Sequence, residues 1–131
     1  MAQTVSIIIG NTAPIVVTWQ PNMEVQSALE AAYNQIQNSK TFSFATQFFG
    51  TYQAPPNGSL GYMVIMLNGT YDLPNQGQYW ALLVNGVYAS AGIDLTFLKP
   101  CDQVEFVNEP YAAKHAGTAV EFRHKLHLES A

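Results

Sequence analysis

The strongest structural signal in this sequence is an Asn-Gly pair between two β-forming runs. Residues 79–84 read YWALLV, residues 87–90 read VYAS, and Asn85-Gly86 separates them. Two central residues of this kind accept the positive φ angles of a type I′ turn, whose twist matches that of the antiparallel strands it joins. The pattern therefore predicts a β-hairpin over residues 79–90, and with it a domain built around a sheet.

Other short runs rich in β-branched and aromatic residues predict further strands. Residues 4–9 (TVSIII) and 14–19 (PIVVTW) flank a turn and predict a second hairpin. Alternation at Phe42 and Phe44 begins another strand, in which Phe48-Phe49-Gly50 predicts a bulge or bend. The last two predicted strands are residues 61–68 (GYMVIMLN) and 103–107 (QVEFV).

One segment changes its apolar period from two to 3.6 residues. Within residues 23–37 the apolar side chains recur at spacings of three and four, at Val25, Ala28, Leu29, Ala32, Tyr33 and Ile36. The pattern predicts one amphipathic helix, and Asn22 is the expected N-cap because its side-chain oxygen can accept a free backbone N–H. One helix across a mixed sheet is an α+β fold, and it is β-grasp-like if the first hairpin lies beside the last strand.

The length of 131 residues fits a single domain. We expect this domain to occupy residues 1–108. Residues 109–131 are less apolar and hold all three histidines, and we expect a C-terminal extension that forms either an added strand or a loose tail.

Three stretches of the sequence match a known family pattern. Residues 79–86 read YWALLVNG, residues 91–94 read AGID, and residues 99–106 read KPCDQVEF. With residues 23–29 (MEVQSAL) as a helix start, the chain resembles the transcobalamin C-terminal-like domain family of the DUF4430 type over roughly residues 4–108. Cys101 stands where that family usually has Gly before Asp.

The resemblance implies a fold and one candidate cofactor. In cobalamin-carrying members of the family this domain covers a bound cobalamin against a helical domain. This sequence contains no such helical domain, so cobalamin binding here would need a partner chain. Apart from this implied cobalamin, we expect no cofactor.

The aromatic residues of the hairpin form the candidate binding surface. Tyr79 and Trp80 are neighbours on a strand and face opposite sides of the sheet, so one is expected in the core and the other at solvent or at a ligand. Tyr62, Tyr71 and Tyr88 extend this surface, because Tyr adds both apolar area and a hydroxyl. We therefore predict a small-molecule binding module that holds an apolar or ring-shaped ligand.

Two other function classes stay open. A cofactor-independent enzyme, such as an isomerase, cyclase or lyase, needs only one Tyr, Asp or His as acid or base, and it leaves no sequence signature. No nucleophile elbow, phosphate-binding loop or zinc-protease motif is present, so we assign no catalytic residue and favour a non-catalytic role. A homo-oligomeric interaction module would pair through an edge strand or an aromatic patch.

Charge and composition exclude several partners. Five basic residues and a net charge of -4 exclude a phosphate-binding stripe for nucleic acid and a basic membrane-surface helix. The lone Cys101 makes no internal disulfide, and His124 and His127 are expected in a solvated tail, so we predict no metal site. No signal peptide is recognisable; we expect an extracellular or periplasmic protein if a leader was removed, and otherwise a cytoplasmic one.

Overall fold

Two sheets and two helices form the part of the chain that the computed structural model describes, which is residues 3–49, 61–112, 115 and 117–130. The elements in chain order are β1 (Thr4–Ile9), β2 (Ile15–Thr18), α1 (Val25–Ile36), β3 (Phe44–Phe48), β4 (Tyr62–Leu67), β5 (Thr70–Tyr71), a 3-10 turn (Pro74–Gln76), β6 (Gln78–Val84), β7 (Val87–Tyr88), β8 (Gln103–Pro110) and α2 (Ala119–Ser130).

The larger sheet is mixed and has the strand order β2-β1-β8-β6-β7. Strand β1 pairs in parallel with β8, from Ser6 opposite Gln103 to Ile9 opposite Phe106, and the other neighbours are antiparallel. A smaller antiparallel sheet has the order β3-β4-β5. The α+β class is confirmed, and the first hairpin lies beside the last strand as expected for a β-grasp-like arrangement.

Helix α1 covers one face of the larger sheet with its apolar stripe. Val25, Ala28, Leu29 and Ala32 are fully buried in the main core. The prediction of Asn22 as N-cap is wrong: Glu24 is the N-cap, and Asn22 lies in a turn with φ 63°. The first N–H groups of the helix are satisfied by carbonyls of the loop before β8, so no side-chain cap is needed. The Val25 N–H donates to the Thr96 carbonyl at 2.9 Å, and the Gln26 N–H donates to the Ile93 carbonyl at 3.0 Å.

The Asn-Gly hairpin forms as predicted. Asn85 and Gly86 have φ angles of 52° and 82°, and Val84 pairs with Val87 across the turn. The Asn85 side chain also ties the turn to β8, because its oxygen accepts the Gln103 N–H at 2.9 Å. The predicted irregularity in β3 occurs earlier than expected, between Ala45 and Thr46, and Gly50 lies outside the described residues.

The C-terminal segment differs from the prediction of a strand or loose tail. Strand β8 continues to Pro110, and a helix that the sequence analysis missed, α2, follows from Ala119. Its start is a capping box, in which Thr118 Oγ accepts the Glu121 N–H at 3.4 Å and the Glu121 carboxylate accepts the Gly117 N–H at 3.1 Å. Neither helix of the described residues is long and apolar enough to cross a lipid bilayer.

Helix α2 covers the opposite face of the larger sheet from α1. Val120 packs against Tyr79 and Ala81, whereas the intervening Trp80 and Leu82 point into the core under α1. Both faces of β6 are therefore buried, because each side of this strand has its own helix.

Cys101 supplies a first test, because its backbone occupies a conformation suited to glycine. Its φ is 71°, and the left-handed region costs a side-chain-bearing residue about 1–2 kcal/mol. Glycine loses about 0.5–1 kcal/mol more chain entropy on folding. We expect Cys101→Gly to raise the free energy of unfolding, measured in urea, by up to about 1 kcal/mol. Gly86→Ala is the matched control and should lower it; a loss of stability in Cys101→Gly would contradict this interpretation.

Glu121 supplies a second test, through the pH dependence of stability. The Gly117 N–H, with Lys125 and the Tyr111 hydroxyl, lowers the pKa of Glu121 below its ordinary value of 4.5, against the opposing effect of burial. The carboxylate therefore stabilises the folded state above the unfolded pKa, and this contribution disappears as pH falls through the folded pKa. We expect Glu121→Gln to flatten the loss of stability between neutral and acidic pH in urea titrations. Glu30→Gln, on the exposed side of α1, should leave that slope unchanged.

Candidate functional site

A cavity of about 560 Å³ lies between the smaller sheet and helix α2. Its lining comes from the end of β3, from β4 and β5, from the connection into β6, and from the middle of α2. The residues are Gln47, Phe48, Phe49, Ile65, Tyr71, Asp72, Pro74, Tyr79, Arg123, Leu126 and His127. Aromatic and aliphatic side chains thus alternate with a few polar groups around one space.

Arg123 reaches from α2 into the base of this cavity. The side chain is buried, and its guanidinium donates to the Val64 carbonyl at 3.2 Å and to the Asp72 carboxylate. The guanidinium carbon also lies 5.3 Å from the ring centre of Phe49 and 5.5 Å from that of Tyr79, which is cation–π distance. Hydrogen bonds and ring contacts together fix Arg123 in one position.

The Asp72 carboxylate compensates the buried positive charge of Arg123. Its second oxygen accepts the Trp80 N–H at 2.7 Å, so both carboxylate oxygens act as acceptors. Burial raises the pKa of Asp72 above its ordinary value, while the charge and hydrogen bond of Arg123 and the Trp80 N–H oppose this rise. Because two donors point at the two oxygens, we assign the ionised form, which makes the contact an ion pair.

Tyr79 contributes its ring to the cavity and its hydroxyl to α2. It is 1% exposed, and its hydroxyl lies 3.3 Å from His124 Nδ1. Burial raises the pKa of Tyr79, and the positive charge of Arg123 offsets only part of that rise. The phenol therefore stays protonated at neutral pH and acts as a hydrogen-bonding group rather than as an anion.

The structure brings together two of the five predicted site residues. Tyr71, 57% exposed, and Tyr79 both line the cavity. Trp80 faces the core under α1, where its indole N–H donates to the Thr70 carbonyl at 2.9 Å. The Tyr62 ring is tilted against that of Phe48, with ring centres 4.8 Å apart, and Tyr62 does not line the cavity. Tyr88 does not line it either, and its hydroxyl donates to Glu109 at 2.6 Å. A ligand-binding role for all five stays a prediction.

Sequence reasoning missed the polar part of the site. Asp72 and Arg123 are far apart in the chain, and no local pattern links a loop aspartate to a basic residue on an unpredicted helix. The sequence analysis predicts only a bulge or bend at Phe48-Phe49. Two consecutive aromatic residues at the end of a strand also place one ring on each side of the sheet. The Thr118-x-x-Glu121 spacing was the available signal for α2.

The expectation of a solvated tail is wrong for His124, and the third histidine, His115, for which the sequence favours a structural role, lies in the core. His115 is fully buried; its Nδ1 accepts the Ala112 N–H at 3.0 Å, and its Nε2 lies 2.5 Å from Glu109. His124 stacks on Tyr111 with ring centres 3.9 Å apart. No group of three or more His, Cys, Asp or Glu side chains able to hold a metal ion occurs within the described ranges.

Comparison with solved structures shows where this fold occurs. Haptocorrin, solved in complex with Cbi, matches with a TM-score of 0.64 and 18% sequence identity over 86% of this chain. The chain spans only 26% of the length of haptocorrin. A candidate metal binding protein from Ruminococcus gnavus matches over 83% of this chain and 96% of its own length, with 14% identity and a TM-score of 0.49, which is too low to support an inference.

Comparison of the sequence itself identifies the family. A search of curated proteins found no match. The sequence model of the family described as "Domain of unknown function (DUF4430)" matches residues 24–109 and so covers most of the chain, including α1, both hairpin strands β6 and β7, and nearly all of β8. The match confirms the family indicated by the sequence motifs, and the chain belongs to the DUF4430 family.

Proposed function

We propose that this protein is a binding module for a small molecule held in the cavity between the smaller sheet and α2. The observation that supports this most directly is the cavity itself. Its volume of about 560 Å³ lies within the roughly 300–1,000 Å³ typical of small-molecule sites. Aromatic and aliphatic side chains lie beside polar groups in its lining, and small-molecule sites use the two kinds of group for contact area and for orientation.

Protein contacts hold the charged part of the cavity in place, which favours binding. Arg123 is held by Val64, Asp72 and two rings, so the base of the site needs no rearrangement. Phe48, Phe49 and Tyr79 have short side chains with only two rotatable bonds each. Little conformational entropy is therefore lost when a ligand enters.

The aromatic lining favours a ring-shaped or apolar ligand. Phe48, Phe49, Tyr71 and Tyr79 place four aromatic rings in the lining, and aromatic rings pack favourably against other rings. Haptocorrin, which has this fold in one part of its chain, was solved with Cbi bound. Cobalamin therefore belongs among the ligands to be tested, together with smaller ring compounds that fit the volume.

An acid–base enzyme is the second candidate, and one contact favours it. The Tyr79 hydroxyl and the His124 imidazole lie 3.3 Å apart, and the Tyr79 ring lines the cavity. With its raised pKa, Tyr79 would act as a proton donor rather than as a base. Analysis of the released ligand separates this candidate from simple binding.

The test is native mass spectrometry of the purified protein with a panel of ring-shaped metabolites and cobalamins. We expect a bound mass that is released unaltered. Tyr71→Ala should weaken binding by about five- to thirtyfold, because one aromatic contact contributes on the order of 1–2 kcal/mol. Tyr71 is 57% exposed, so this change should leave the fold intact.

The matched control is Phe97→Ala, which removes a 62% exposed ring outside the cavity and should bind like the wild type. Equal affinities of Tyr71→Ala and the wild type would contradict the proposed site. A ligand released as a different product would identify an enzyme, and a spectrum of dimers without ligand would favour a homo-oligomeric interaction module.

A further inference from the structure

The charges around the cavity restrict the chemical class of its ligand. We infer that the site selects an uncharged ring compound over anionic or cationic analogues of the same shape. This inference rests on the proposed function and makes it more specific.

The charges in the lining cancel each other. Among the described residues that line the cavity, the two charged side chains are Asp72 and Arg123, of opposite sign and in direct contact. Both are buried. A ligand that enters the cavity therefore meets an ion pair and no net charge, so neither a carboxylate nor an ammonium group is attracted by an excess of the opposite sign.

The two members of this pair are also bonded to each other and to the backbone. Asp72 accepts from Trp80 and from Arg123 with its two oxygens, and the two terminal nitrogens of Arg123 donate to Val64 and Asp72. A charged ligand that pairs with one member competes with the other member for it. The displaced member would remain buried without its counter-ion, which is strongly unfavourable.

Two aromatic rings lie beside the guanidinium as well. The ring centres of Phe49 and Tyr79 lie at 5.3 Å and 5.5 Å from its central carbon, so part of the positive charge is directed at aromatic side chains of the protein. The remaining polar groups of the lining are the exposed Gln47 amide, the Tyr71 hydroxyl and the His127 imidazole. They suit a ring with one neutral hydrogen-bonding substituent, such as a hydroxyl or an amide.

Three compounds of matched shape test this inference: neutral 2-naphthamide, anionic 2-naphthoate and cationic 2-naphthylmethylamine. Their affinities for the wild-type chain are measured by calorimetry at about pH 8, where free imidazole is neutral. We expect the amide to bind at least about tenfold more tightly than either charged analogue. Equal or tighter binding of a charged analogue would overturn the inference and leave the proposed binding function intact. Binding of none of the three would overturn the inference, and the mass-spectrometry panel would then decide the proposed binding function separately.

A charge variant sharpens the test. Asp72→Asn keeps an acceptor for the Trp80 N–H but leaves Arg123 uncompensated, so we expect the preference to move toward naphthoate by about tenfold or more. An unchanged preference in folded Asp72→Asn would overturn the inference. The control is Asp72→Asn combined with Arg123→Met, which restores neutrality and should again prefer the amide. Circular dichroism establishes that each variant is folded, and if Asp72→Asn is not, the wild-type comparison decides.

Discussion

The ion pair between Arg123 and Asp72 joins the two sheets and the C-terminal helix at one buried point. Arg123 comes from α2 and also bonds the Val64 carbonyl of β4, while Asp72 follows β5 and accepts the Trp80 N–H of β6. A buried charge without its partner is strongly destabilising. The helix, the smaller sheet and β6 must therefore be in place together, and the cavity is the space that remains between them.

The parts of the fold that local sequence determines could be predicted, and those that depend on distant partners could not. The Asn85-Gly86 turn and the apolar stripe of α1 are set by neighbouring residues. Helix α2 lacks such a stripe, because its buried positions include the charged Arg123, and its apolar residues contact two separate clusters. Only its capping box was visible in the sequence.

The position of the candidate site also depends on residues that are distant in sequence, and some of them lie outside the family match. Strand alternation predicts that Tyr79 and Trp80 face opposite sides, and they do, but the side that borders the cavity depends on α2. The family match ends at residue 109, whereas Arg123, Leu126 and His127 line the cavity beyond it. The matched range therefore contains α1, the smaller sheet and the β6–β7 hairpin, whereas β1, β2 and the α2 residues of the cavity lie outside it.

The parallel pairing of β1 with β8 also has a consequence for how the chain folds during synthesis. Residues 6–9 find their inner neighbour only at residues 103–106, so the central strand of the larger sheet is synthesised long after β1. Until then, β1 can pair only with β2, and α1 has no complete sheet to cover. Contacts of such long sequence separation slow folding. While the intervening residues are synthesised, β1 therefore keeps an open strand edge that a chaperone or a second copy could occupy.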